Sequence, residues 1–361
     1  MTLGLFLSLG ESLNGLEQKG QLARLLNYNL KYYCRNFKKV YLFTYAKSEK
    51  IDLPENCRLV TNSRNLPRYL YSILLPIIHI SKIKECSVLR GLQVTGGIPC
   101  LLSKIILGKK FIINYGYNYS KVAKLEGKNL QSFFFPTVSK IVLALCDKVI
   151  ITAGYLKKYI PQDKSVLIPN GVDLKLFKPS GKVKEQIIFV GRLESQKNVD
   201  LLIKAFTLVK SKNAKLIIIG DGSKKDELVK LGQKLKTKIE FPGAINYLKL
   251  AKIMSRSQIF ILPSKVEGNP KSLIEAMACG CAPIGTNVEG INNIIENRQN
   301  GILVAPNEEQ ISGAIKALLK DQNLIKKIGN NARKFSQMYY DIDKLLKREI
   351  ALLKDVGNGR I

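Results

Sequence analysis

A chain of 361 residues, 46% of them apolar, exceeds what one hydrophobic core organises and holds material for two. Its 58 Lys and Arg against 28 Asp and Glu leave a formal charge of +30, an excess that favours an anionic partner: nucleic acid, an anionic membrane or an anionic substrate. Residues 1–180 carry 27 basic and 10 acidic side chains and residues 181–361 carry 31 and 18, which excludes a charged tail as the source and leaves a solvated lysine-rich surface as the plain alternative.

The segment Met1–Gly10 has no basic stretch ahead of its apolar residues and reads as a core strand, not a signal peptide, so a cytoplasmic location is expected. Further strands follow at Val40–Tyr45, Val88–Leu92, Phe111–Tyr115, Lys148–Ile151 and Val166–Ile168, with helices between them such as Gln21–Arg35. The longest apolar runs, Tyr69–Ile80 and Phe133–Cys146, contain Pro76 and Lys140 and fall short of a bilayer span. Seven cysteines are scattered without a CxxC pair and read as reduced, buried thiols. Around Phe177–Lys182, Pro179 and Gly181 mark a linker. A second series of strands then runs through Ile187–Gly191, Lys215–Gly220, Ile239–Phe241, Ile259–Leu262, Ala282–Gly285 and Gly301–Val304, with helices at Val199–Lys210 and Pro270–Cys279. Alternation of this kind predicts an α/β chain with two doubly wound parallel sheets. The expected domains are 1–180 and 181–335, with a C-terminal helix at about 336–355 packing back.

The strand at Ile259 runs into Ser264-Lys-Val-Glu267-Gly-Asn269-Pro270 and a helix that stops at Gly280. Asn269 suits the N-cap and Pro270 the first helical position. Leu273, Ile274, Met277 and Ala278 share one helical face, which leaves Glu275 on the flank. Ligands of doubly wound sheets bind beyond the carboxyl ends of the strands, where a helix start offers unpaired N–H groups to phosphate. Two carboxylates beside an anion site fit if they accept hydrogen bonds from sugar hydroxyls. The alternative is that Glu275 is a solvated helix residue and Glu267 an ordinary loop residue.

Glu267-Gly268 and then Glu275-Ala-Met-Ala-Cys-Gly280 resembles the EX7E motif of the family 4 retaining glycosyltransferases. Three other segments are similar to that family in the same order: Ile168-Pro-Asn-Gly-Val-Asp173 with Phe177, Phe189-Val-Gly-Arg192-Leu with Lys197, and Ile217-Ile-Ile-Gly-Asp-Gly-Ser223. The resemblance implies the glycosyltransferase-B architecture, two Rossmann-like domains facing a cleft, the first for the acceptor and the second for the nucleotide-sugar donor. It implies retaining transfer of a hexose-type sugar from a UDP- or GDP-linked donor to a glycan or lipid-linked acceptor, with no required cofactor or metal. It assigns Arg192 and Lys197 to the donor diphosphate, Glu267 to the transferred sugar and Glu275 to the ribose hydroxyls. Gly268, Asn269 and the backbone N–H groups of Lys271, Ser272 and Leu273 complete the donor site, with Gly220 nearby.

Other signals are weaker. Gly220-Asp-Gly222 lacks the third glycine of a dinucleotide fingerprint, since Lys225 stands there, and reads as a turn. Gly10-Glu-Ser-Leu-Asn-Gly15 follows the first strand where family members often have a glycine-rich loop, and Gly10 or Gly15 is the candidate within it. Many members place a histidine near the transferred sugar, but the corresponding Ile113-Asn-Tyr-Gly-Tyr117 has none, leaving Asn114, Tyr115 or Tyr117 to substitute. His79, the one histidine, reads as a core residue, and Asp341-Ile-Asp343 as a helix cap in place of a metal site. Arg192 has Glu194 as an alternative ion-pair partner. The rival functions are a same-fold epimerase or donor hydrolase, and a basic nucleic-acid-binding protein, for which no recognition motif is present. Lys82, Lys84, Lys109, Lys110, Lys121, Lys124 and Lys128 suggest peripheral docking on an anionic membrane surface.

Overall fold

The structure is a computed structural model that describes residues 1–116 and 129–361, with the side chains of 129–135 also left undescribed. Among the described residues, its first unit comprises 1–116, 130–169 and 344–361. Seven strands, β1 (Thr2–Phe6), β2 (Lys39–Phe43), β3 (Cys57–Val60), β4 (Val88–Gly91), β5 (Phe111–Tyr115), β6 (Lys148–Ile151) and β7 (Ser165–Leu167), form a parallel sheet in the order β3-β2-β1-β4-β5-β6-β7. Apolar runs such as Leu3, Leu5, Ile112 and Ile150 on one face and Phe6, Phe43, Ile113 and Ile151 on the other feed two cores. Both faces are therefore covered by helices, as a parallel sheet requires. The order reverses between β1 and β4, and ligands of such sheets bind at that reversal.

Among the residues described with their side chains, the second unit spans 170–343. Its strands are β8 (Gln186–Val190), β9 (Lys215–Ile219), β10 (Ile239–Gly243), β11 (Ile259–Leu262), β12 (Ala282–Thr286) and β13 (Ile302–Val304), all parallel, in the order β10-β9-β8-β11-β12-β13. Ile187, Ile188, Phe189, Phe260 and Ile261 are buried in a single continuous core. Here the order reverses between β8 and β11.

The two doubly wound parallel sheets are those expected. Strand β3 escapes the sequence pattern because it is an edge strand of four residues whose Arg58 faces solvent, so no apolar run marks it. The segment expected as one helix at Gln21–Arg35 is helical but changes winding, with a wider π-type turn at Leu25–Leu30. The contact boundary lies between Pro169 and Asn170, ahead of the linker expected at 177–182, and Phe177 is fully buried in the second unit's core. The helix Ile342–Gly357 belongs to the first unit, where Leu345, Ile350, Leu353 and Val356 join the core. Asp341 Oδ1 accepts from the Asp343 N–H at 2.9 Å at the start of that helix. His79 is buried, with the Tyr71 hydroxyl 3.1 Å from Nε2. Six of the seven cysteines are buried, Cys34 is half-buried and all are thiols. Among the described residues no helix is long and apolar enough to cross a membrane.

Candidate active site

The loops that leave β8 and β11 are neighbours at the reversal point of the second sheet, and they carry the residues that the sequence pairs. After β8, the chain makes a single turn at Ser195–Lys197 and ends it at Asn198, whose φ of 55° starts the helix Val199–Thr207. After β11, it runs through Pro263–Pro270. Gln196 joins the two loops: its side-chain amide donates to the Val266 carbonyl at 2.8 Å, and its own carbonyl accepts from the Lys265 N–H at 2.9 Å. Held in this way, Lys197 Nζ reaches Glu267 Oε1 at 2.5 Å, and Ser264 Oγ donates to the same oxygen at 2.6 Å. The side chains of Lys197 and Glu267 are 13% and 6% exposed, so this is a largely dehydrated ion pair. Loss of either partner would leave a buried charge uncompensated.

The approach of these loops depends on glycine at two positions. At Gly290, with φ of +88°, a Cβ would stand 2.5 Å from the carbonyl oxygens of both Glu267 and Gly268, so the carboxylate loop lies directly on this residue. At Gly220, with φ of +145°, a Cβ would stand 1.9 Å from the Gly191 carbonyl oxygen. The Gly-Asp-Gly turn thus lets the end of β9 pack against the loop that carries Arg192. Arg192 itself is exposed, and its Nη2 donates to Gln196 Oε1 at 3.4 Å. The Glu194 carboxylate accepts from the Ser223 N–H at 3.0 Å and hydroxyl at 2.7 Å.

The helix Lys271–Ala278 begins after Pro270, which is extended and provides no side-chain cap. Asn269 is not the N-cap. Its Oδ1 accepts from the Asn170 N–H at 2.8 Å and its carbonyl accepts from Asn170 Nδ2 at 2.7 Å, so a contact with the loop Ile168–Asp173 has taken the side chain that capping would use. The first bond within the helix runs from the Ile274 N–H to the Pro270 carbonyl, which places the N–H groups of Lys271, Ser272 and Leu273 in the first turn, ahead of the intrahelical ladder. An anion there gains from the helix dipole by about 1–2 kcal/mol in a partly buried setting. Glu275 departs from the flank position expected of it: it is 5% exposed and its Oε1 accepts from the Tyr247 hydroxyl at 2.8 Å. The partner on that flank is Tyr247, the first residue of the helix Tyr247–Arg256, while the helix Gln322–Tyr339 packs at Ile274 and Ala278. Ala276, on the same side of the wheel, is fully buried too.

In the first unit, Gly10 takes a left-handed turn with φ of 74° after β1. Gly15 lies inside the helix Leu13–Gln18, and its N–H donates to Ser12 Oγ at 3.0 Å, which commits it to the cap. Asn114 Oδ1 accepts from the Gln93 N–H at 2.9 Å and Arg90 Nη1 at 3.3 Å, a supporting role that fixes Gln93 at a φ of 62° beyond β4. Arg90 Nε in turn donates to Glu349 Oε1 at 2.7 Å, which also accepts from the Tyr33 hydroxyl at 2.8 Å. Tyr115 is buried, and that burial, with Tyr159 nearby, pushes its hydroxyl pKa up to about 12. Tyr117 lies outside the described residues.

Residues 174–335 match the family model for glycosyl transferases group 1. An uncharacterized glycosyltransferase of Methanocaldococcus jannaschii is 32% identical over 270 residues, covering 68% of this chain and 69% of that protein. The chain belongs to the group 1 glycosyl transferases. This glycosyltransferase is also similar to two enzymes whose names specify diphospho-undecaprenol acceptors. One is the Campylobacter jejuni GalNAc-alpha-(1->4)-GalNAc-alpha-(1->3)-diNAcBac-PP-undecaprenol alpha-1,4-N-acetyl-D-galactosaminyltransferase, 26% identical with 73% of this chain and 74% of that protein covered. The other is the Escherichia coli UDP-Gal:alpha-D-GlcNAc-diphosphoundecaprenol alpha-1,3-galactosyltransferase, 27% identical with coverage of 78% and 77%. Its fold matches sucrose-phosphate synthase from Thermosynechococcus elongatus with a TM-score of 0.84 at 19% identity, covering 99% of this chain and 100% of the other. HepE of Anabaena, solved with UDP, matches with a TM-score of 0.78 at 16% identity over 98% and 100% of the two chains. The architecture is that of glycosyltransferase-B.

Three residues of the glycosyltransferase escape sequence reading, two at the site of the second unit and one in the first unit. Ser264 anchors Glu267, Gly290 makes room for its loop, and Gln93 occupies the reversal point of the first sheet. Of these, Gln93 has a legible signal, the pair Gly96-Gly97 just after a strand. Gly96 lets the helix Gln93–Leu107 approach β1 so closely that a Cβ there would stand 2.9 Å from the Leu7 carbonyl oxygen.

Proposed function

We propose that this glycosyltransferase is a metal-independent retaining enzyme of family 4, and that Glu267 to Glu275 is its EX7E motif. In this reading it moves a hexose-type sugar from a UDP- or GDP-sugar to a lipid-linked or glycan acceptor. The observation that carries the reading is the buried Lys197–Glu267 pair at the strand reversal of the second sheet, on the loop that leads into the helix Lys271–Ala278. The diphosphate sits on the N–H groups of Lys271–Leu273 with Arg192 and Lys197, Glu267 orients the transferred sugar, and Glu275 accepts from the ribose hydroxyls. The acceptor names of the Campylobacter jejuni and Escherichia coli relatives support a lipid-linked acceptor, and the UDP in HepE supports a uridine donor.

The chemistry follows from this charge distribution. The bond between the anomeric carbon and the diphosphate oxygen breaks as charge builds on the leaving group, where Arg192, Lys197 and the helix start stabilise it. The acceptor hydroxyl forms the new bond on the same face and passes its proton to the departing diphosphate. Positioning and charge stabilisation do the remainder, and no protein base is needed.

Thermal-shift screening of UDP- and GDP-sugars, followed by product mass and the anomeric configuration by NMR, tests the reading. The expected result is one preferred donor and a product of unchanged anomeric configuration, formed only with acceptor present and insensitive to EDTA. Inversion would overturn the retaining assignment, and a product formed without acceptor would point to an epimerase or hydrolase. Cell fractionation with the cytoplasmic or inner-membrane pool tests the proposed cytoplasmic side.

A further inference from the structure

The first unit carries an apolar surface that its own fold leaves uncovered. Along the helix Arg68–Ile78, Tyr69, Ile73 and Ile77 recur every fourth residue and are 55%, 54% and 57% exposed. On the helix Gln93–Leu107, Ile105 and Ile106 are exposed, and on the helix Asn129–Leu145, Ile141 and Leu145 are exposed. These helices meet in one groove of about 300 Å³, to which they contribute Tyr69, Ile73, Ile98, Leu102 and Ile141, among others. Leu9, at the carboxyl end of β1, closes one end of it. Contiguous apolar surface of this kind marks an interaction site.

The charge around the groove selects the partner. The three helices carry Arg68, Lys104 and Lys140 with no acidic residue, and Lys104 Nζ pairs with Asp147 Oδ1 at 2.8 Å, so Arg68 and Lys140 are the helix cations offered at this face. Arg68 and Lys140 are exposed, and the Arg68 guanidinium lies 5.0 Å from the Tyr69 ring centroid, a pairing of cation and amphipathic aromatic suited to a headgroup boundary. Apolar side chains flanked by cations match a bilayer with anionic headgroups, because the apolar face enters the acyl boundary while the cations stay among phosphates.

We infer that the exposed face of the helices Arg68–Ile78, Gln93–Leu107 and Asn129–Leu145 docks on an anionic lipid bilayer and inserts Tyr69, Ile73, Ile77 and Ile141 into its interface. The inference deepens the proposed use of a lipid-linked acceptor, but its test contains neither donor nor acceptor, so the two can fail separately.

The chain contains no tryptophan, so Tyr69→Trp places a single reporter on the face. Vesicles of phosphatidylcholine with and without phosphatidylglycerol are titrated into the full chain at low and high salt. The expected result is a blue shift of Trp emission and vesicle flotation with phosphatidylglycerol at low salt only. In the triple variant Ile73→Ser, Ile77→Ser, Ile141→Ser, vesicle affinity falls by at least about tenfold from lost apolar burial. The variant's far-UV circular dichroism and thermal midpoint stay at the wild-type level, which shows that it folds. Absence of flotation by the wild-type chain, or equal flotation by the triple variant, overturns the inference. A concentration-dependent dimer in sedimentation that the triple variant abolishes, without vesicle binding, would also overturn it and assign the face to a second copy.

Discussion

Arg192 and Lys197 bring the same charge to one loop, and their burial separates what their removal does. Arg192 is exposed, so Arg192→Ala is expected to lower kcat by about a hundredfold through lost leaving-group stabilisation while changing stability by less than about 0.5 kcal/mol. Lys197→Ala also strands Glu267 in a site where it is 6% exposed, so kcat and thermal midpoint fall together. Steady-state kinetics beside calorimetry separates the two, and wild-type turnover in both variants would remove them from the site. His79 shows burial acting on a titration. Burial first, then Lys82 and Arg64, lowers its pKa from 6.5 to about 4. The folded protein therefore favours the neutral ring, hydrogen-bonded to the Tyr71 hydroxyl. Its contribution to stability is complete above pH 6.5 and is lost as pH falls from there towards about 4. Denaturation curves across that window should flatten in His79→Asn relative to wild type, and an unchanged slope would show that the ring does not contribute.

At the scale of elements, position is set by close backbone approach. Gly290 is the test case, since its Cβ has no room beneath Glu267 and Gly268. Gly290→Ala should displace that loop, raising KM for the donor and lowering kcat by about tenfold or more, with the sheet intact by circular dichroism. A variant with native kinetics would show that the loop tolerates the shift. The strands of the second sheet and the short helix after Pro270 were legible because Ile259-Phe-Ile-Leu and the Pro270–Gly280 punctuation are local signals. What the sequence hid was tertiary. Nothing local says that Asn269 would be taken by Asn170, or that Tyr247 would reach Glu275. A helical wheel assigns a face to solvent when it cannot see the second helix. Edge strand β3 was missed for the opposite reason, as its exposed Arg58 leaves no apolar run to read.

For the molecule as a whole, Glu349 shows how the last helix is held within the first unit. Its carboxylate accepts from both Arg90 and Tyr33, all three buried, and Arg90 continues to Asn114 at the end of β5. Glu349→Ala should cost about 3–5 kcal/mol, because a buried guanidinium loses its counter-charge. Urea unfolding would measure that loss, and a change below about 1 kcal/mol would mean that water replaces the carboxylate.

The bridge between Val172 and Asp341 places the first and last residues of the second unit side by side. The side chain of Met1, likewise, packs at Gly357 in the first. Among the residues described with their side chains, the second unit is one uninterrupted cassette, 170–343, set into the first at a single seam. Its six strands and their core need nothing from outside that seam to be complete. Excised as 170–343, it should fold alone, with a cooperative thermal transition by circular dichroism as the measure.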